Sequence, residues 1–200
     1  MPKAEQTRQY IVEKAAIIFN LKGFAGTSMD DIVKATGLSK GGVYGNFNSK
    51  EDIALAAFEH AVERVSAEVR ERTRVIDHTL DKLKAVVYFY KERILNPPIT
   101  GGCPIQNTAI DADDSNPALR SRVISALDEW QKRLIYTLEK GKERGEVRPD
   151  AESRAFATQF IGTLEGGIML AQLYKDVSYF DVMARQLLDM IEGLRPAQIR

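Results

Sequence analysis

Apolar side chains return every three or four residues along almost the whole chain. The runs are cut by glycine, proline and capping hydroxyls, and no stretch alternates with the period of two that a strand needs. That pattern predicts an all-α fold of about nine helices. The first run, Ala4 to about Lys22, carries Ile11, Ala15, Ile18 and Phe19 on one face and stops at Gly23. Thr27 reads as the N-cap of a short helix from Met29 to Ala35, with Asp30 at its positive end, Ile32 and Val33 facing inward, and Gly37 as breaker. Ser39 caps a second short helix, roughly Lys40 to Asn46, with Val43, Tyr44 and Phe47 as its apolar contacts, and Ser49 caps a long helix from Lys50. Two short helices around a glycine turn make a helix-turn-helix pattern.

Downstream, Ile53, Ala57, Ala61 and Val65 step by four along a helix expected to reach about Thr73, a strut of roughly 35 Å at 1.5 Å per residue. Thr79 to Leu95 is the next helix, closed by Pro97 and Pro98, and another start is expected near Cys103 and Pro104. Asn116 caps an amphipathic helix of Leu119, Val123, Leu127, Trp130, Leu134 and Leu138, ending at Gly141 and Gly145. Asp150 opens an apolar helix over Phe156 to Tyr174, and Tyr179 to Leu194 forms the last.

The 200 residues are 44% hydrophobic and carry 28 basic and 28 acidic side chains, the composition of a globular chain with a core to bury. A net charge of zero gives no global attraction to nucleic acid or membrane, so such binding requires a local patch. Residues 1 to 50 supply one: seven basic side chains (Lys3, Arg8, Lys14, Lys22, Lys34, Lys40, Lys50) face four acidic ones, a surplus of three. No apolar run approaches the ~18 to 20 residues of a membrane span, and the opening residues lack a signal-peptide core, so no membrane association and a cytoplasmic location are expected. A single cysteine excludes an internal disulfide. His60 and His78 read as surface or helix-end residues, and no metal or other cofactor is expected.

Ala15, Phe19, Gly23, Phe24, Thr27, Ile32, Gly37, Ser39, Gly41, Val43, Tyr44, Phe47, Ser49, Lys50, Glu51 and Ile53 stand in an ungapped register. That register resembles the N-terminal DNA-binding domain of the TetR family of bacterial transcriptional regulators. Further along, Glu143 to Asp150, the pair Glu165 and Gly166, and the segment from Gly101 through Gly102, Cys103 and Pro104 to Asn107 are similar to the family as well, the last to one subgroup. The resemblance implies a DNA-binding domain over residues 1–50 and a helical ligand-binding and dimerisation domain over residues 51–200.

Candidate DNA-binding residues follow from the first module. Helix N-termini bind phosphates, which marks the caps Thr27, Ser39 and Ser49, with Lys50 adding charge, and Ser28 is a further candidate DNA-binding residue. Base reading falls to the second short helix, where Lys40 suits guanine N7 or O6 and Asn46 a base edge or a phosphate. Tyr44 resembles the family tyrosine that approaches the DNA backbone. Gly41, Gly42 and Gly45 each cost a helix about 1 kcal/mol relative to alanine. Either they let the backbone lie close in the groove or they pack tightly against the first helix. The family usually has a hydroxyl residue where Gly42 stands, so one phosphate contact is expected to be absent, and the short side chains predict substantial readout of DNA shape.

For the larger module, Tyr88, Phe89, Tyr90, Cys103, Trp130, Tyr136, Phe160 and Met169 are candidate pocket residues, and the aromatics fit plain core equally well. Cys103 near a helix start fits a reactive thiolate that senses oxidants or electrophiles, or a small buried hydrophobe. Asp111, Asp113 and Asp114 lack a glycine-centred calcium-loop pattern and read as a solvated loop. Gly162, Leu164, Gly166, Ile168, Leu170 and Leu173, with Leu187, Leu188 and Ile191 of the last helix, leave more apolar surface than one neighbour covers, which predicts a four-helix homodimer interface. A twofold dimer places its reading helices ~34 to 36 Å apart and demands a palindromic double-stranded operator.

The expected function is a one-component repressor released by a small-molecule effector, with a coupling of ~1 to 3 kcal/mol weakening operator binding roughly 5- to 150-fold. The alternative is a dimeric ligand or thiol sensor acting through Cys103 without sequence-specific DNA binding. No nucleophile, base and orienting group assemble from two histidines and one cysteine, so no enzyme is expected.

Overall fold

The computed structural model describes residues 3–112 and 116–197, and Asp113 and Asp114 lie outside them. Among the described residues there are nine α-helices and no strand: α1 (Lys3–Lys22), α2 (Met29–Thr36), α3 (Lys40–Tyr44), α4 (Lys50–Thr73), α5 (Thr79–Arg93), α6 (Pro104–Ala112), α7 (Pro117–Glu143), α8 (Ser153–Tyr174) and α9 (Ser178–Glu192). The all-α expectation holds, and the long helix ends at Thr73 as its periodicity required.

The chain divides into two compact units, Met1–Ser66 with Pro98–Ala126, and Ala67–Pro97 with Leu127–Arg200. In the first unit Ile11, Ala15, Ile32, Val43, Phe47, Ile53, Ala57 and Ile99 form one buried cluster. Each large aliphatic or aromatic member contributes about 1.5–3 kcal/mol of hydrophobic stabilisation as an upper estimate. Polar stitches tie residues 100–107 to the end of α1. Buried Asn20 donates from Nδ2 to the Thr100 carbonyl at 2.9 Å, and Asn107 donates to Asn20 O at 3.0 Å and Gly101 O at 2.8 Å. Gly101 sits at φ 112°, and a Cβ there would lie 2.9 Å from Asn20 O, so only glycine fits this close approach.

In the second unit α9 packs on α8 and on α5, burying Phe160, Leu164, Phe180, Leu187 and Ile191 completely. Thr79 opens α5 by donating its N–H to Glu146 at 2.8 Å.

Several local expectations change. The N-cap of α2 is Ser28, because Thr27 is only 1% exposed and its hydroxyl donates to Gly23 O at 2.7 Å. Helix α3 stops at Tyr44, since the N–H groups of Asn46 and Phe47 both turn back onto the Val43 carbonyl. Asn116 does cap α7, accepting from Leu119 N at 2.9 Å, but α7 runs through Gly141 and the break comes at Gly145 with φ 70°. Helix α8 begins at Ser153 rather than Asp150.

Burial also redraws the expected dimer face. Leu164, Ile168, Leu187 and Ile191 are buried within the chain itself and leave no area for a partner, while Leu173 is 73% exposed. Met169, Tyr174, Tyr179 and Val182 are exposed beside it in sequence, Leu170 and Leu188 are half-buried, and a Cβ on Gly162 or Gly166 would meet nothing within 4 Å. Of the expected pocket residues, Phe160 is core, Tyr88, Tyr136 and Met169 face outward, and buried Phe89 and half-buried Tyr90 and Trp130 are in ring contact, with centroids 5.3 Å apart for Phe89 and Tyr90 and 6.3 Å for Tyr90 and Trp130. Cys103 is half-buried just before α6.

Candidate nucleic-acid interface

The reading surface is built on two capped short helices. Ser28 has extended backbone (φ −95°, ψ 161°), its Oγ accepts from Asp31 N at 3.1 Å, and Asp31 Oδ2 accepts from Ser28 N at 2.9 Å, a reciprocal capping box. Lys22, 2.8 Å away, and the two Ser28 donors hold the Asp31 carboxyl well below the usual carboxylate range. Gly37, in the left-handed region at φ 66°, ends α2 and turns the chain into Ser39. The Ser39 hydroxyl then caps α3 by accepting from Gly42 N at 3.1 Å. Behind α3, buried Val43 and Phe47 anchor it in the cluster with Ile11 and Ile32.

What α3 presents outward is Lys40, Gly41 and half-exposed Tyr44. The Lys40 ammonium lies 2.9 Å from Asp30, and this hydrogen bond raises its pKa. A Cβ on Gly41 would meet only Ser39 Oγ at 4.0 Å, and one on Gly42 would make ordinary contacts with Ser39 Oγ and Leu38. Neither glycine is required by packing against α1. The reading in which the glycines pack tightly against α1 is overturned for Gly41 and Gly42, while a Cβ on Gly45 would lie 3.1 Å from Gly41 O within the reader itself.

Three expected DNA contacts have other occupations. Thr27 is buried. Asn46 donates its side-chain amide to Gly42 O at 2.8 Å, closing the last turn of α3. Lys50 donates from Nζ to Phe24 O at 2.9 Å and Thr27 O at 3.0 Å, with Nζ 4.1 Å above the Phe24 ring, so its charge points into the α1–α2 turn. Ser49 keeps its expected role, capping α4 by accepting from Asp52 N at 3.0 Å.

Two contributors carry no local sequence signal. Arg8 of α1 donates to Asn46 O at 2.6 Å and lies 3.9 Å above the Phe47 ring. Asp111, read from sequence as part of a solvated loop, accepts from Phe24 N and so ties α6 to the same turn that Lys50 holds. A cleft of about 370 Å³, including its solvent-open mouth, lies beside these contacts, lined among others by Ala16, Phe19, Phe24, Phe58, Pro104 and Asp111. None of the expected pocket residues borders it.

An exposed, glycine-rich second helix behind a capped first one, on a locally basic segment, is the geometry of a helix-turn-helix reader. Two family profiles match the chain: one described as bacterial regulatory proteins, tetR family, over residues 11–57, and one described as tetracyclin repressor-like, C-terminal domain, over residues 79–187. The chain belongs to the TetR family. A TetR transcriptional regulator from Chloroflexus aurantiacus J-10-FL superposes with a TM-score of 0.92 at 40% identity, covering 96% of this chain and 97% of that one. A TetR-family transcriptional regulator from Cytophaga hutchinsonii gives 0.91 at 34% identity, covering 99% of each chain. An HTH-type transcriptional regulator of Mycobacterium tuberculosis H37Rv is 26% identical over 96% of this chain and 98% of its own length. This TetR-family regulator therefore matches its relatives through both its N-terminal reader and its C-terminal helices. Among its described residues no helix is long and apolar enough to cross a membrane.

Proposed function

We propose that this protein is a cytoplasmic repressor that binds a palindromic operator as a homodimer, with residues 1–50 docking the DNA and residues 51–200 dimerising and taking up a small-molecule effector that releases it. One observation carries the reading: exposed Gly41 stands beside Lys40 and Tyr44, and no described residue crowds the place of its missing side chain. A reader whose backbone lies against the groove supplies a reason for glycine there. In this arrangement Ser28 and Ser39 present helix N-termini to phosphates, Lys40 and Tyr44 reach the duplex, and Asn46 and Lys50 hold the reader in shape. With few long side chains on α3, much of the specificity is read from DNA shape.

Exposed Leu173, Tyr174, Tyr179 and Val182, with the uncrowded Gly162 and Gly166, support a dimer interface on α8 and α9. The segment from Gly101 to Asn107 supports membership of a Gly-Cys-Pro subgroup of the family. Selection of random duplex DNA by the purified protein tests the whole reading. Enrichment of a palindrome with half-sites one helical turn apart is expected. An unenriched pool from folded dimer would overturn it in favour of a DNA-independent sensor acting through Cys103.

A further inference from the structure

We propose that Arg8 is a positioning residue for operator binding: from α1 it fixes the pose of α3 and makes no phosphate contact of its own. The inference rests on the operator-binding reading above. Helix α3 has five residues, two of them glycine, with a third glycine as its C-cap. A helix this short does not persist by itself, so its ends must be held from outside. Ser39 holds the first end and Val43 the middle. At the other end Arg8 donates to Asn46 O at 2.6 Å while its guanidinium covers the Phe47 ring at 3.9 Å, and the Asn46 amide reaches back to Gly42 O at 2.8 Å. Arg8, Asn46 and Gly42 thus form one chain of contacts from α1 to the middle of the reader. A planar guanidinium donates in its plane and stacks through its face at once. An ammonium is a point charge without a planar face: Lys50 donates to a carbonyl and lies over a ring, but a lysine at position 8 would cover Phe47 less fully than the guanidinium does.

Arg8 is exposed and basic, so its rival role is a direct phosphate contact. The two roles separate in salt. Losing a phosphate contact lowers the slope of log affinity against log salt by about one, and losing a positioning residue lowers affinity at every salt with the slope unchanged. The experiment measures affinity of the dimer for its selected palindrome from low to high salt for Arg8→Lys, Arg8→Gln and Lys40→Gln. Arg8→Gln is expected to bind about tenfold more weakly with the wild-type slope and Arg8→Lys to fall between it and the wild type, while Lys40→Gln lowers the slope. Wild-type affinity in Arg8→Gln, or a lower slope in that variant, overturns the proposal.

A second readout needs no DNA. Hydrogen exchange at the amides of Gly45, Asn46 and Phe47, which bond back to Gly41 and Val43, is expected to quicken in Arg8→Gln while exchange in α8 does not change. Unchanged exchange overturns the proposal even if no operator is ever found. Quickened exchange without any operator leaves the positioning of α3 standing and sinks the DNA-binding reading alone.

Discussion

Lys50 stands 4.1 Å above the Phe24 ring and donates to the Phe24 carbonyl at 2.9 Å, reaching back from the first residue of α4 to the turn that follows α1. The same turn is held through the Phe24 N–H by Asp111 of α6. One short stretch of backbone therefore joins the reader's scaffold to a segment far along the chain.

Replacing Lys50 by methionine keeps the stem and removes the ammonium. Two charge-assisted hydrogen bonds to carbonyls are lost, and a destabilisation of about 1–3 kcal/mol is expected in urea unfolding. A variant with unaltered stability that has lost DNA binding would return Lys50 to the phosphate backbone.

Gly41→Ala separates folding from recognition. The new Cβ has open space, and alanine favours the helix by up to about 1 kcal/mol, so thermal stability is expected to hold or rise. Operator affinity should fall nonetheless, because the methyl group stands where the groove must approach. Equal affinity for the alanine variant would remove the main support for close backbone docking.

Leu173→Glu puts a charge on the most exposed leucine of α8. Sedimentation velocity is expected to show dissociation to monomer, with helical content retained, since the side chain supports nothing inside its own chain. A dimer that survives this change would place the interface elsewhere.

Glu192 gives a pH signature. Arg195 and then Lys84 lower its pKa from 4.5 to about 2. A group depressed in the folded state contributes stability that is complete above its unfolded value and is lost as pH falls through the folded one. Stability from these pairs should therefore be flat above about pH 5 and erode between 4.5 and about 2. Glu192→Gln should flatten that limb when urea midpoints are compared across pH, and parallel profiles would refute the assignment.

How far the sequence reached can be judged residue by residue. Ser39, Ser49 and Asn116 were legible as caps, and the end of α4 at Thr73 was legible from its four-residue steps, because capping and helical periodicity are set by neighbours within one turn. The register from Ala15 to Ile53 was enough to suggest the reader. Ser28 was confused with Thr27 because adjacent hydroxyl residues suit a cap equally until burial decides which one faces the helix.

Tertiary structure decided what no local rule reaches. Arg8 meets Asn46 across 38 residues, Asp111 meets Phe24 across 87, and Lys50 turns inward because the carbonyls of Phe24 and Thr27 lie beneath it once α1 and α4 pack. The apolar stripe of α8 showed that something covers it, yet only the folded chain decided that Leu164 and Ile168 are buried and Leu173 is left outside. A helix's formation depends on its own backbone and nearest side chains. Which face it buries, and which charge it spends inside, depend on surfaces that exist only after the other helices have packed.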